Sequence, residues 1–176
     1  VATETFVVTV TNVAPDIDHF DPGSDPFEGQ VAAMSGTFTD PGLEDTHAAT
    51  IDWGDGSAPE PGEVVRPPGQ MTGTIAGSHA YADDGGYTVT VTVEDDDGGT
   101  DTETFTVTVT NVAPVVSVVT LSDSGPAVGQ QVQASATFTD PGVLDSHTAM
   151  WSWGDGTTSV GVVTEVDGDG SVTGSH

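Results

Sequence analysis

The sequence has no cysteine and no lysine, and a single arginine, Arg66, is its only base beside five histidines. Without cysteine there is no disulfide framework and no thiol nucleophile. One base against 28 acids leaves a formal charge of -27, so nothing can neutralise phosphates and nucleic acid is excluded as a partner. No apolar run approaches the ~18 residues of a spanning helix, so no membrane insertion is expected. The N-terminus lacks the basic and apolar regions of a signal peptide, which suits a mature or excised segment. No serine stands in a GxSxG elbow, and no glycine-rich phosphate loop leads into a helix. Paired carboxylates are too common in so acidic a chain to mark a glycosidase. The chain is therefore expected not to be an enzyme.

What is present is repetition, with a period of about 100 residues. Residues 3–15 (TETFVVTVTNVAP) recur at 102–114 (TETFTVTVTNVAP), FTDPG at 38–42 recurs at 138–142, WGDG at 53–56 recurs at 153–156, and GSH at 77–79 recurs at 174–176. Residues 1–11 then read as the last strand of a preceding repeat, 12–110 as one complete repeat, and 111–176 as a second one without its final two strands. Such ends suit a window cut from a longer array. The rival expectation, a donor strand from a neighbouring chain, is weakened because residues 1–11 supply a seventh strand and no sixth.

Alternation of period two marks the strands. A short first strand is expected after Pro15. Ala32, Met34, Gly36 and Phe38 define a second, matched by Val132, Ala134, Ala136 and Phe138. Ala49, Ile51 and Trp53 define a third, matched by Ala149, Trp151 and Trp153. One or two less regular strands are expected over 63–75, since Pro67 and Pro68 suit only an edge or loop. Tyr87, Val89, Val91 and Val93 face Phe105, Val107 and Val109 in a hairpin whose loop is Glu94-Asp95-Asp96-Asp97-Gly98-Gly99. Some seven short strands per repeat predict an all-β chain of tandem immunoglobulin-like antiparallel β-sandwiches. Asp83, Gly85, Tyr87 and Val89 alternate as in the corner before the sixth strand of that fold.

WGDGS from Trp53, GSHAYADDGGYTVTVTV from Gly77 and EDDDGGT from Glu94 together resemble the polycystic-kidney-disease (PKD) domain. The resemblance implies tandem sandwiches of a bacterial or archaeal surface or secreted protein. Such domains serve as spacers, as adhesion modules, or beside the catalytic domains of secreted hydrolases. Some members beside collagenase catalytic domains bind calcium near the N-terminal linker.

The topology itself says which acids should meet. The linker, the loop between the second and third strands and the acidic hairpin gather at one end of such a sandwich. That end holds Asn12 and Asp16, Asp40, Glu44 and Asp45, and Asp95 to Asp97. These hard oxygen donors in glycine-bearing loops suit Ca2+ with six to eight ligands. The expected ligands are Asn12, Asp40, Asp95 and Asp97, with backbone carbonyls completing the shell and Asp45 next. The competing expectation is that Asp40 and Asp45 only form turns with nearby amides while the triple aspartate is solvated. In the following repeat Asn111, Asp140 and Asp145 are the equivalents. They should abut the loops carrying Asp83 and Asp84, where a further metal would stiffen the array. Because 111–176 lacks the hairpin, one complete acidic cluster is expected, in the middle repeat. Asp55 and Asp155 are expected to stabilise turns, His79 to be a hydrogen-bonded histidine packed at the core edge, and His47 and His147 to order loops.

The function expected is that of a non-enzymatic structural or adhesive repeat of an extracellular or cell-surface protein, forming a stiff, calcium-braced rod or filament. Its partners would be neighbouring repeats, with self-association into a filament. The alternative is an accessory module of a secreted hydrolase that binds glycan or a surface protein. Adaptation to high salt and a plain solvated surface compete with calcium as the source of the acidity.

Overall fold

The computed structural model describes residues 3–176. The strand expected over 1–11 begins at two residues that lie outside the described residues. The rest of that segment is unpaired, and Phe6, Val7, Val8 and Val10 are all exposed. A strand needs a partner edge, and alternation alone does not supply one.

The chain is an all-β, immunoglobulin-like fold with antiparallel sheets. Seven strands follow Pro15: β1 (Asp16–Asp21), β2 (Val31–Thr39), β3 (His47–Asp52), β4 (Glu60–Val65), β5 (Thr72–Ala80), β6 (Gly85–Asp95) and β7 (Thr100–Val109). They run in the order β1-β2-β5-β4-β3-β6-β7. The joining element is β4. Its Glu60, Pro61 and Gly62 pair with Ile51, Thr50 and Ala49 of β3, and its Glu63, Val64 and Val65 pair with Ala76, Ile75 and Thr74 of β5. One strand thus changes sheets halfway, as corner strands of sandwiches do.

Burial follows the pleat. On β2, Ala32, Met34, Gly36 and Phe38 are buried while their neighbours face outward. Val89, Val91 and Val93 of β6 and Val107 of β7 complete the core with Ile17, Ile51 and Ile75. Trp53 is buried too, but it sits one residue beyond the end of β3 rather than within it. A Cβ on Gly73 would collide with the fully buried Phe38 ring, so glycine there is a packing requirement of the neighbouring strand.

The following strands are β8 (Val115–Val116), β9 (Thr120–Leu121), β10 (Gln133–Thr139), β11 (Met150–Ser152), β12 (Thr158–Val160), β13 (Val162–Val166) and β14 (Asp169–Ser175). β10 pairs with β14 along its whole length, placing Phe138 opposite Gly170, and β11 pairs with β12 alone. Gly170 meets the Phe138 ring as Gly73 meets Phe38. Trp151 and Trp153, expected in a core, are only half-buried. β11 has no neighbour like β6, which lies along β3 and covers Ile51.

The chain divides into two compact units. One comprises residues up to Ser24 with Ala32–His79 and Gly86–Val107; the other comprises Asp25–Val31, Ala80–Gly85 and Thr108–His176. The division crosses the repeat boundary because backbone hydrogen bonds tie the short segments to the later chain. Thr110 N–H donates to Pro26 O at 3.0 Å, Glu28 N–H to Thr110 O at 3.1 Å, and Gly29 N–H to Tyr81 O at 2.9 Å. Among the described residues no helix is long and apolar enough to cross a membrane.

Candidate metal centre

In the first unit, the DPG turn after β2, the end of β6 and the linker before β1 bring acids together. Asp40 is fully buried. Its Oδ1 accepts the Gly42 N–H at 2.6 Å, an Asx-type turn, and its Oδ2 takes the His47 Nε2 at 2.9 Å. The His47 ring lies on Phe38, with centroids 4.8 Å apart, which places the imidazole at the core edge. Asp95, 4% exposed, accepts the N–H groups of Asp97 at 3.0 Å and Gly99 at 2.7 Å on Oδ1, and the Asn12 side-chain amide at 2.8 Å on Oδ2. One carboxylate oxygen from each of Asp40, Asp45 and Asp95 lies within 4.8 Å of the others.

Asp95 and Asp45 are shifted in opposite directions. The Asn12 hydrogen bond, helped against burial by the Gly99 and Asp97 amides and by His47, holds the Asp95 carboxyl below its ordinary value. Burial first, then the charges of Asp40, Asp96, Asp97 and Asp95, push the Asp45 carboxyl up. Arg66 does not relieve this. Its guanidinium donates to the backbone oxygens of Asp40 (3.0 Å), Gly42 (2.9 Å), Asp45 (3.1 Å) and Gln70 (2.8 Å). The single arginine thus braces the turn through its backbone carbonyls.

Of the predicted residues, Asn12, Asp40, Asp45 and Asp95 are brought together. Asp97 is exposed and its carboxylate stands outside the group. It lines, with Asn12 and Asp45, a depression of 380 Å³. Asp16 and Glu44 are exposed and also outside it. Glu94 and Asp95, expected in the hairpin loop, belong to β6, and the turn proper is 96–99.

The second unit repeats the turn. Asp140 Oδ1 accepts the Gly142 N–H at 2.9 Å and Oδ2 takes the His147 Nε2 at 3.0 Å. Here the second ring nitrogen is also engaged, by Glu165 Oε2 at 2.8 Å, whereas His47 Nδ1 is buried without a partner. The carboxylates of Asp140 and Glu165 raise the His147 pKa, since only the imidazolium donates from both nitrogens. Asn111 is exposed.

A second carboxylate cluster forms in this unit, where Asp145 was expected to abut the loops carrying Asp83 and Asp84; Glu28 was not expected there. Glu28, Asp83, Asp84 and Asp145 each place one oxygen within 4.8 Å of the others. Glu28 is 1% exposed; its Oε1 accepts the Val112 N–H at 2.5 Å, and its Oε2 is buried with no hydrogen-bond partner among the described residues. Sequence reasoning missed Glu28, Arg66 and Glu165. A signal for the first existed: PFEGQ at 26–30 matches PAVGQ at 126–130, so an acid stands where the other repeat has Val128.

The GDG turns are a separate structural device. Gly54, Gly56, Gly154 and Gly156 all have φ between 78° and 91°, which only glycine adopts without strain. Asp55 Oδ1 accepts the Ser57 N–H at 3.0 Å and its Oδ2 takes His79 Nε2 at 2.8 Å. Burial pushes the Asp55 carboxyl up, but the Ser57 and His79 hydrogen bonds together outweigh it and hold the group at about 2. Asp155, bonded by Thr157 and His176, is likewise held at about 2.

Comparison with known proteins gives one family: the profile of the PKD domain matches residues 12–109. No curated protein sequence matches the chain. Among solved structures, one from work on carbohydrate-binding modules of the β-sandwich superfamily is 18% identical with a TM-score of 0.44, covering 74% of this chain and 56% of that one. The chain thus spans little more than half the length of that structure. The crystal structure of Dpr2 Ig1-Ig2 in complex with DIP-Theta Ig1-Ig3 is 12% identical with a TM-score of 0.37, covering 92% of this chain and 86% of that one.

Proposed function

The chain belongs to the PKD domain family, and from that premise we propose that it is a non-enzymatic structural repeat of an extracellular or cell-surface protein, stiffened by calcium. The observation that carries this reading is the hydrogen bond from Asn12 to Asp95. Through it the linker enters the same acid group as the β2–β3 turn and the hairpin, so whatever stabilises that group also fixes the angle at which the chain enters the sandwich.

The donor set fits calcium. Asp40, Asp45 and Asp95 offer hard carboxylate oxygens at a spacing that a Ca2+ with bonds of about 2.3–2.6 Å can span. Burial and the neighbouring charges of Asp40 and the 95–97 run raise the Asp45 pKa, which a nearby cation would oppose. A bound cation would supply positive charge and cross-link three loops; it would do no chemistry. Because Arg66 already holds the carbonyls of Asp40, Gly42 and Asp45, water would fill the remaining positions.

Calorimetric titration of calcium, with thermal unfolding in calcium, in chelator and across sodium chloride, tests the reading. Stabilisation at millimolar calcium is expected. A requirement for molar salt with no heat of calcium binding would instead assign the acidity to general screening.

A further inference from the structure

We propose that Glu28, Asp83, Asp84 and Asp145 form a second, separate divalent-cation site, with calcium as its ligand. The inference extends the calcium reading above but uses none of the same residues.

The cluster alone would be unremarkable in so acidic a chain. What distinguishes it is Glu28, among the described residues the only buried glutamate. Its Oε1 is fixed by the Val112 amide, and its Oε2 has no hydrogen-bond partner among the described residues. Leaving a carboxylate oxygen out of water without a donor is costly. The oxygen also points at another carboxylate. A Cβ placed on the buried Gly142 would lie 2.7 Å from Glu28 Oε2 and 2.8 Å from Asp145 Oδ2. Two acid oxygens therefore converge on one small glycine-lined space, where a larger side chain would intrude.

The spacing is that of a coordination shell. Oxygens on opposite sides of a calcium ion stand about 4.6–5.2 Å apart, twice the bond length, and adjacent ones are closer. All four donors fall within 4.8 Å of one another. Their backbones are held in place beforehand: Glu28 N–H donates to Thr110 O at 3.1 Å, Gly29 N–H to Tyr81 O at 2.9 Å and Asp145 N–H to Gly142 O at 3.0 Å. Three segments far apart in sequence meet here, and burial and like charge both disfavour their ionised carboxylates. Burial and the charges of Asp145, Asp140 and Asp84 raise the Glu28 pKa, and burial with Asp140, Asp83 and Asp84 raises that of Asp145. The one arginine is engaged elsewhere, on carbonyls of the first unit. The base beside Asp145, His147, is already engaged by Asp140 and Glu165, so four carboxylates against one shared imidazole still select a hard cation. Calcium is favoured over magnesium because exposed and half-buried acids in loops give the irregular shell that magnesium resists.

Glu28→Gln separates a cation site from a merely packed side chain, since the amide keeps the Oε1 acceptor for Val112 and removes the charge. In the full chain, the variant is expected to unfold at a higher temperature than wild type in chelator. In calcium it should lose one equivalent of bound ion, or bind it at least about tenfold more weakly, and so gain less from added calcium. Asp145→Asn should behave alike, and Asp45→Asn should leave this site's calcium intact. If Glu28→Gln and Asp145→Asn bind calcium with wild-type stoichiometry and affinity, the proposal is overturned, and loss of calcium in Asp45→Asn would then leave the first site standing. If instead only the Glu28 and Asp145 variants lose calcium, this site stands and the first falls.

Discussion

The imidazole of His79 stacks on the indole of Trp53, with centroids 5.2 Å apart and planes within 14°. The second unit repeats the stack with His176 on Trp153 at 5.0 Å and 15°. In each, the far side of the histidine reaches the aspartate of the GDG turn, at 2.8 Å for Asp55 and 2.9 Å for Asp155. The turn is thus clamped to the core by an acid–imidazole–indole chain. Asp55→Asn keeps the acceptor for Ser57 and removes the charge. It should cost about 1–2 kcal/mol at pH 7, the lower end reflecting partial exposure. Because the folded pKa lies at about 2, below the ordinary 3.8, the contribution is complete above the ordinary value and is lost as pH falls towards 2. Urea midpoints of wild type and variant should therefore differ fully at pH 6 and converge near pH 2. A gap that stays constant over that range would show that the charge is not what matters.

Arg66 makes four hydrogen bonds to backbone oxygens from one planar group. Lysine cannot reproduce that fork. Arg66→Lys should lose about 2 kcal/mol, nearly as much as Arg66→Ala, in urea unfolding. Full rescue by lysine would mean that the positive charge, rather than the carbonyl contacts, is required.

Gly73→Ala and Gly170→Ala place a methyl group against the rings of Phe38 and Phe138. Each should cost about 1–3 kcal/mol through overpacking. Gly86→Ala, on β6 with nothing within 4 Å of its Cβ position, serves as the control and should be neutral or slightly stabilising. Thermal unfolding of the three variants compares them directly.

Asp45→Asn relieves repulsion from Asp40 and from the 95–97 run. In chelator it should unfold at a higher temperature than wild type, and calcium should raise its midpoint less. A variant that is equally stabilised by calcium would remove Asp45 from the first site.

The strands were legible wherever one face is buried, because the period-two pattern of Ala32 to Phe38 or of Val89 to Val93 records that burial directly. Asn12, Asp40, Asp45 and Asp95 were legible through topology, since an immunoglobulin-like sandwich gathers their segments at one end. Asp97 was not, because within a tight turn an amide and a carboxylate of one residue point different ways, and here the amide faces Asp95. β4 was blurred over 63–75 because Pro61 and Gly62 are poor strand formers, tolerated where the strand changes sheets. Glu28 was hidden for another reason. A lone acid in a loop reads as solvated, and only the fold places it beside Asp83, Asp84 and Asp145, acids more than fifty residues further along the chain.

β1 and β7 stand at the two ends of the seven-strand order and share no backbone ladder. They meet where the backbone N–H of Ile17 donates to Asp101 Oδ2 at 2.8 Å and where the rings of Phe20 and Phe105 lie 5.5 Å apart. These are also the strands by which the chain enters and leaves the sheet. Tension along the polypeptide therefore loads this seam, where one backbone-to-carboxylate hydrogen bond and one ring contact stand in place of a ladder, together with the backbone bonds that hold Thr110 to Pro26 and Glu28.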